Sequence, residues 1–355
     1  MRGSPASRPD ACLARHAVPQ RRHGVGALTH ALEPREPGPD EVARMSADLA
    51  RRLETARRQD AAQRDDTARP GNAARRGSAS GTLERITVPV WVHIIRDHAL
   101  GLPDAAVARQ IAVLNTAYSG GYGGADTGVR FELKGVTHTE NRSWFRDPLG
   151  FEEPMKKKLR AGGAETLNLY IAQLSRLVLG YSTYPYWYDD EPVLDGVVID
   201  WRSVPGGPLR DFARGFTAVH EIGHWFGLLH TFENGCKAPG DSVDDTPAEA
   251  YPTNGCPSKK DTCPASGGDP IHNFMDYAQD RCMREFTAGQ GVRVHQMWDA
   301  YRRPAPRAAD AGPRKAAADI EGPAADGADD EVPSAAQSGD EPVVEAQGDA
   351  RGTGR

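Results

Sequence analysis

Aromatic residues are missing from both ends of this 355-residue chain. All 25 Phe, Trp and Tyr residues lie between Trp91 and Tyr301, and residues 1–80 and 304–355 contain none. Such stretches, rich in Ala, Arg, Asp, Gly and Pro, bury too little apolar surface to offset the entropy of ordering them. A tandem array of domains is therefore excluded, and the sequence predicts one folded unit of roughly 220 residues between two weakly folded ends. Long apolar runs are also missing. Nothing approaches the about 18–20 residues that a membrane-spanning helix requires. Lysine is absent from residues 1–80, which hold 15 Arg against 10 acids, net +5. Residues 304–355 hold 5 basic and 11 acidic residues, net −6, so a total of −6 leaves the middle at −5. A nucleic-acid binder usually carries a positive folded region, so nucleic acid is not an expected partner.

Cysteine is scarce and unevenly placed: Cys12 stands alone, then Cys236, Cys256, Cys263 and Cys282 follow within 47 residues. Four close cysteines in loop-like sequence suggest either a zinc knuckle or two disulfides. No Cys-x-x-Cys pair occurs among them, which favours disulfides, with three pairings open. Disulfides imply an oxidising compartment. The chain opens MRGSPASRPDACLARHAVPQRRHG, without the 7–15-residue apolar core of a signal peptide. Export is expected all the same, from a start codon upstream of Met1 or by another route.

Residues 30–68 hold a predicted helix, with Asp40 as cap and Val42, Met45, Leu49 and Leu53 at helical spacing. It has so few apolar residues that it needs a partner surface. Residues 70–82 read as a linker. Order is expected to begin at Ile86, where ITVPVWVHIIRD alternates as a strand does. A helix over 102–119 follows, then strands at VRFELKGVTHT, TLNLYIAQL and DGVVIDW. Between the last two, GYSTYPYWYDD suits a sheet edge or rim loop, and a last helix is predicted near 288–301.

Residues 220–230 read HEIGHWFGLLH. On a helix, His220 and His224 share one face and present two imidazole nitrogens to one metal. Glu221 lies beside them, where it can hold a water. Gly227 tolerates the left-handed conformation that turns the chain, so His230 arrives as a third ligand. Three protein ligands and an open fourth position are the arrangement of catalytic zinc.

HExxHxxGxxH resembles the metzincin signature, and NFMDY at 273–277 supplies the Met-turn of that class. HTFENGC, VDDTP, GCP, DTCP, DPIHNFMDYAQDRCM and FTAGQGVR resemble the pappalysin family in its shorter secreted branch, found in bacteria and fungi. The resemblance spans roughly residues 86–302. It implies an α+β metzincin fold with a twisted mixed sheet, a backing helix, an active-site helix and a disulfide-containing C-terminal subdomain. The domain reading is an Arg-rich, largely disordered pro-segment and linker at 1–82, a catalytic domain at 83–303 and a disordered acidic tail at 304–355. Within the catalytic domain, subdomains of 83–230 and 231–303 enclose the cleft.

Carried over residue by residue, the resemblance implies zinc on His220, His224 and His230, with Glu221 as general base. It implies Met275 as the floor, Tyr277 as a phenol that swings toward substrate, and disulfides Cys236–Cys263 and Cys256–Cys282. Protein or peptide substrates then lie antiparallel along an edge strand, with residues 180–187 as the rim. Asp280 matches an acid that lines the pocket for the residue after the scissile bond and selects Arg or Lys. Asp244, Asp245 and Thr246 match a loop where family members bind calcium. Cys12 suits a latency switch, a pro-segment thiolate acting as fourth zinc ligand. If the enzyme prefers Arg, Arg57-Arg58 and Arg75-Arg76 become self-processing sites. A monomer is expected. Two alternatives compete: a matrixin- or astacin-like metzincin, and a binding or adhesion protein that keeps the zinc fold without catalysis. Matrixins lack the four-cysteine block, and astacins favour Glu where this chain has Thr231. Glu221 and Tyr277 are both present, so the motif carries no sign of decay.

Overall fold

The computed structural model describes residues 33–67, 83–175, 177–265 and 267–304. Strand β1 (Ile86–Arg96) alternates as its sequence predicts: Ile86, Val88, Val90, Val92 and Ile94 enter the main core, while His93 and Ile95 face the other side. β1 pairs in parallel with β2 (Val129–Glu140) and with β3 (Leu167–Ala172); β3 pairs in parallel with β5 (Val197–Asp200). β4 (Gly180–Ser182) closes the five-stranded order β2-β1-β3-β5-β4 and is the one antiparallel strand. The sheet is thus mixed but mostly parallel. Both of its faces are covered, which is why β3 and β5 are buried at every position and apolar apart from Asn168 and Asp200.

Helices α2 (Asp104–Tyr118) and α5 (Phe216–Trp225) share the main core with the sheet. On the opposite face, Phe145 of α3 (Arg142–Arg146) and Met155 of α4 (Glu152–Leu159) pack with Tyr170, Tyr181 and Val198. After α5 the chain has little regular structure and is stapled by Cys236–Cys263 and Cys256–Cys282, the two pairings that the resemblance implies. It ends in α6 (Ala288–Met297), which runs into a π-helical turn over Trp298–Arg302. A capping box starts α6: the Thr287 hydroxyl accepts from the Gln290 amide, and the Gln290 side chain accepts from the Thr287 amide.

Helix α1 (Pro39–Thr67) begins with proline at its first position, and Asp40 lies inside the first turn instead of capping it. Val42, Met45 and Leu49 supply the apolar face, and the surface they need is the domain itself: Val42 and Met45 pack with Tyr184 and Leu229. Polar ties reinforce this docking, since Trp187 Nε1 donates to Glu41 at 2.6 Å and the Tyr301 hydroxyl to Asp48 at 2.7 Å. The helix expected within residues 30–68 thus finds its partner surface on the 184–187 segment and Leu229. The acidic tail and Cys12 lie outside the described residues.

Candidate active site

Helix α5 starts after Gly215, whose φ of 85° is left-handed and whose carbonyl accepts from the buried Gln110 side chain at 2.9 Å. The Tyr118 hydroxyl donates to the Val219 carbonyl at 3.1 Å, tying α5 to α2. The helix stops at Gly227, φ 84°, whose carbonyl accepts from Arg293. The turn brings His230 back beneath the helix.

His220, His224 and His230 converge there, all buried. Their Nε2 atoms are separated by 3.1, 3.1 and 3.3 Å. Each Nδ1 is engaged elsewhere: His220 with the Phe274 carbonyl at 2.6 Å, His224 with the Leu228 carbonyl at 2.8 Å, His230 with the Glu36 carboxylate at 3.2 Å. Protons on the three Nδ1 atoms leave three Nε2 lone pairs pointing at one spot, which is the second-sphere pattern of metal-ligating histidines. Nitrogens at 2.0–2.1 Å from a tetrahedral metal lie about 3.3–3.4 Å apart, so this spacing fits one small cation. Burial pushes His224 down to about 4, helped by the neighbouring His230. Burial also opposes charge on His230, but the Glu33 and Glu36 carboxylates hold it up at about 10, so a metal binding at its Nε2 displaces a proton there.

A fourth group completes the cluster, and it was not foreseen. Glu33, ahead of α1, sets Oε1 3.1 Å from His220 Nε2 and 3.6 Å from His230 Nε2, and Oε2 3.3 Å from His224 Nε2. Its carboxyl is held well below the usual range: burial raises it, but the surrounding imidazoles outweigh burial. Tyr184 was also missed as a site residue, although it lies in the Gly- and Tyr-rich rim segment. Its hydroxyl is 2.8 Å from His224 Nδ1.

Glu221 is buried one residue after the first histidine, and its Oε2 has no hydrogen-bond partner among the described residues. Burial raises its carboxyl well above the ordinary value, with Glu33 adding to the effect. A Cβ added to Gly180 on β4 would sit 2.5 Å from Glu221 Oε1, so the edge strand passes this close only because residue 180 has no side chain. Gly223 has the same role on the other side, where the Met275 sulfur fills the space of a side chain. Met275 is fully buried; its amide donates to Asn273 Oδ1 at 2.9 Å, and its carbonyl accepts from the Thr231 amide at 3.1 Å. Asn273 pairs in turn with Gln290, so the α6 capping box fixes the loop under the histidines. The Tyr277 ring lies 4.9 Å from that of His230 and 5.0 Å from Phe232, and burial raises its hydroxyl well above 10.

A cavity of about 400 Å³ opens beside Glu221, lined by Gly180, Phe216, Thr217, Tyr277, Asp280 and Met283. Asp280 is buried, accepts from the Arg214 amide at 2.7 Å, and is pushed by burial up to about 7. Of the loop acids, both exposed, Asp245 accepts from the Thr287 hydroxyl at 2.6 Å and the Gly289 amide at 2.8 Å.

Residues 210–299 match the family model described as pregnancy-associated plasma protein-A. An extracellular metalloprotease of Podospora anserina is 42% identical over 229 residues, 62% of this chain and 76% of that protein. One from Pyricularia oryzae is 43% identical over 235 residues, 63% of this chain and 80% of its own length. Among solved structures, mature mirolysin of Tannerella forsythia in complex with a cleaved peptide matches with a TM-score of 0.55 at 27% identity, covering 62% of this chain and 97% of that one. A promirolysin mutant from the same organism matches at 0.54 and 27%, covering 62% of this chain and 82% of that one. A sheet with a His/Glu metal cluster, together with relatives that match over most of their length, establishes that this chain belongs to the pappalysin family and is a metalloendopeptidase.

Proposed function

We propose that the chain is a secreted zinc endopeptidase in which His220, His224 and His230 hold the metal and Glu221 is the general base. The observation that carries this reading is the convergence of three Nε2 atoms beside a buried carboxylate oxygen without a hydrogen-bond partner among the described residues. Zinc bound there would polarise the substrate carbonyl and make water a nucleophile near neutral pH. Glu221 Oε2 takes the proton of the attacking water and hands it to the leaving amine. The Tyr277 hydroxyl donates to the developing oxyanion, and Met275 is the apolar floor that fixes the imidazoles. β4 is the sheet edge where a substrate backbone adds as an antiparallel strand. Relatives named as extracellular metalloproteases support secretion. No helix among the described residues is long and apolar enough to cross a membrane.

Asp280 selects Arg or Lys after the scissile bond. Its carboxyl ionises only above about 7, so its attraction for a cationic side chain grows as pH rises through that value and fades below it. Proteome-wide cleavage profiling with and without a zinc chelator tests both parts. Chelator-sensitive cuts before Arg or Lys, with a preference that sharpens across neutral pH, are the expected result. If Asp280→Ala keeps the same preference, the pocket assignment is wrong. If cleavage survives complete metal removal, the mechanism is wrong.

Calcium in the Asp244, Asp245 and Thr246 loop belongs to the same reading. Asp245 already clasps the start of α6, so calcium there would lock that helix against the core. A chelator that strips calcium and spares zinc is expected to lower the melting temperature by several degrees; an unchanged melting curve would remove the site.

A further inference from the structure

We propose that Glu33 is the fourth ligand of the metal in the full-length chain, a carboxylate latch that shuts the site before the N-terminal segment is removed. The inference rests on the histidine triad holding the metal, as proposed above. Its basis is geometric. Four ligand atoms, one each from Glu33, His220, His224 and His230, lie within 4.8 Å of one another. Glu33 oxygens stand 3.1–3.6 Å from the three Nε2 atoms, close to the edge length of a tetrahedron whose fourth corner they occupy. A carboxylate at that corner takes the position a catalytic water needs, while its charge offsets that of the dication.

The segment around Glu33 is held from several independent directions. Arg35 gives two hydrogen bonds to the buried Glu152, at 2.5 and 2.9 Å. Glu36 accepts from His230 Nδ1, so the same four-residue stretch, 33–36, meets both sides of the histidine cluster. Downstream, α1 covers Tyr184, the residue whose hydroxyl reaches His224 Nδ1. Arg52 then reaches Asp189 and the Ala300 carbonyl. These anchors hold Glu33 beside the three histidines; Cys12 lies 21 positions earlier, outside the described residues. The latch sets a carboxylate at the corner where the sequence suggested a thiolate, and it opens when cleavage severs Glu33 from the docked body or when α1 lifts away.

The test uses the full-length chain carrying Glu221→Ala, which prevents self-cleavage, loaded with Co²⁺ in place of zinc. Glu33→Ala is expected to alter the visible cobalt bands and to speed loss of the metal to a chelator on the order of 10-fold. Glu33→Gln, which keeps the size of the side chain, is expected to move both readouts in the same direction. Cys12→Ala is expected to leave both unchanged, and no variant is expected to show a thiolate-to-cobalt charge-transfer band. A thiolate band that disappears in Cys12→Ala would overturn the proposal, as would bands and release rates unchanged in both Glu33 variants. Failure of every variant, including the parent, to bind cobalt would instead sink the histidine assignment on which the latch depends.

Discussion

Glu221→Ala, placed in the processed enzyme, is expected to lower kcat/KM for peptide hydrolysis by about 10²–10⁴-fold, the range typical of a lost general base. Metal content is expected to stay the same, because the cluster of potential ligands comprises Glu33 and the three histidines and does not include Glu221. The reason lies in its position. Glu221 sits on α5 between the histidine cluster and the edge strand, buried, with one oxygen that has no hydrogen-bond partner among the described residues. In the full-length chain burial holds its carboxyl well above the ordinary value, with Glu33 adding to the effect. Metal analysis and steady-state kinetics on one preparation separate the two effects. Full activity in this variant would remove the mechanism, and loss of metal with loss of activity would show Glu221 to be structural.

Asp195→Ala is expected to be the most destabilising single change away from the metal. Asp195 and Arg302 are both buried and pair at 3.0 and 3.2 Å. Asp195 also accepts from Trp225 Nε1 on α5 and from Thr183 beside β4. Arg302 donates to the Trp225 carbonyl at 2.9 Å and stacks 3.6 Å above that indole. One pair therefore links the rim, the active-site helix and the last turn of the fold. Removing the acid leaves a guanidinium buried without its counter-charge, a loss of about 3–5 kcal/mol. For a domain of this size that corresponds to a melting temperature lower by roughly 10 °C. Thermal unfolding followed by circular dichroism reads it directly. A shift of only a degree or two would mean that the pair contributes little. The double variant Asp195→Ala with Arg302→Met is expected to recover part of the loss, since it removes the stranded charge.

What could be read from the sequence divides along the range of the interactions. Alternation in Ile86–Arg96 and the four-residue spacing of His220 and His224 are local patterns, so the strand and the active-site helix were legible. The disulfide pairing was legible only through family resemblance, because spacing leaves three choices open. The short helices α3 and α4 were not foreseen: five and eight residues hold too little periodicity to stand out. Asp195 and Arg302 meet across 107 positions, and neither carries a local signal of its partner. Glu33 is the clearest case. A single Glu in a Pro- and Gly-rich stretch has no pattern, and its place beside the three histidines depends on the ion pair of its neighbour Arg35 with Glu152, 117 positions further on. The spacing of Val42, Met45 and Leu49 marked a helix in need of a partner, but not that Tyr184 and Leu229 would supply the surface.

The most direct measurement of the central claim is zinc stoichiometry and proteolysis on the same preparations of processed wild-type enzyme and His224→Ala. The account predicts one zinc per chain and chelator-sensitive cleavage in the wild type, restored by added zinc, with both lost in the variant. Cleavage that persists in His224→Ala, or a folded, zinc-loaded wild type that cuts no peptide, would contradict it.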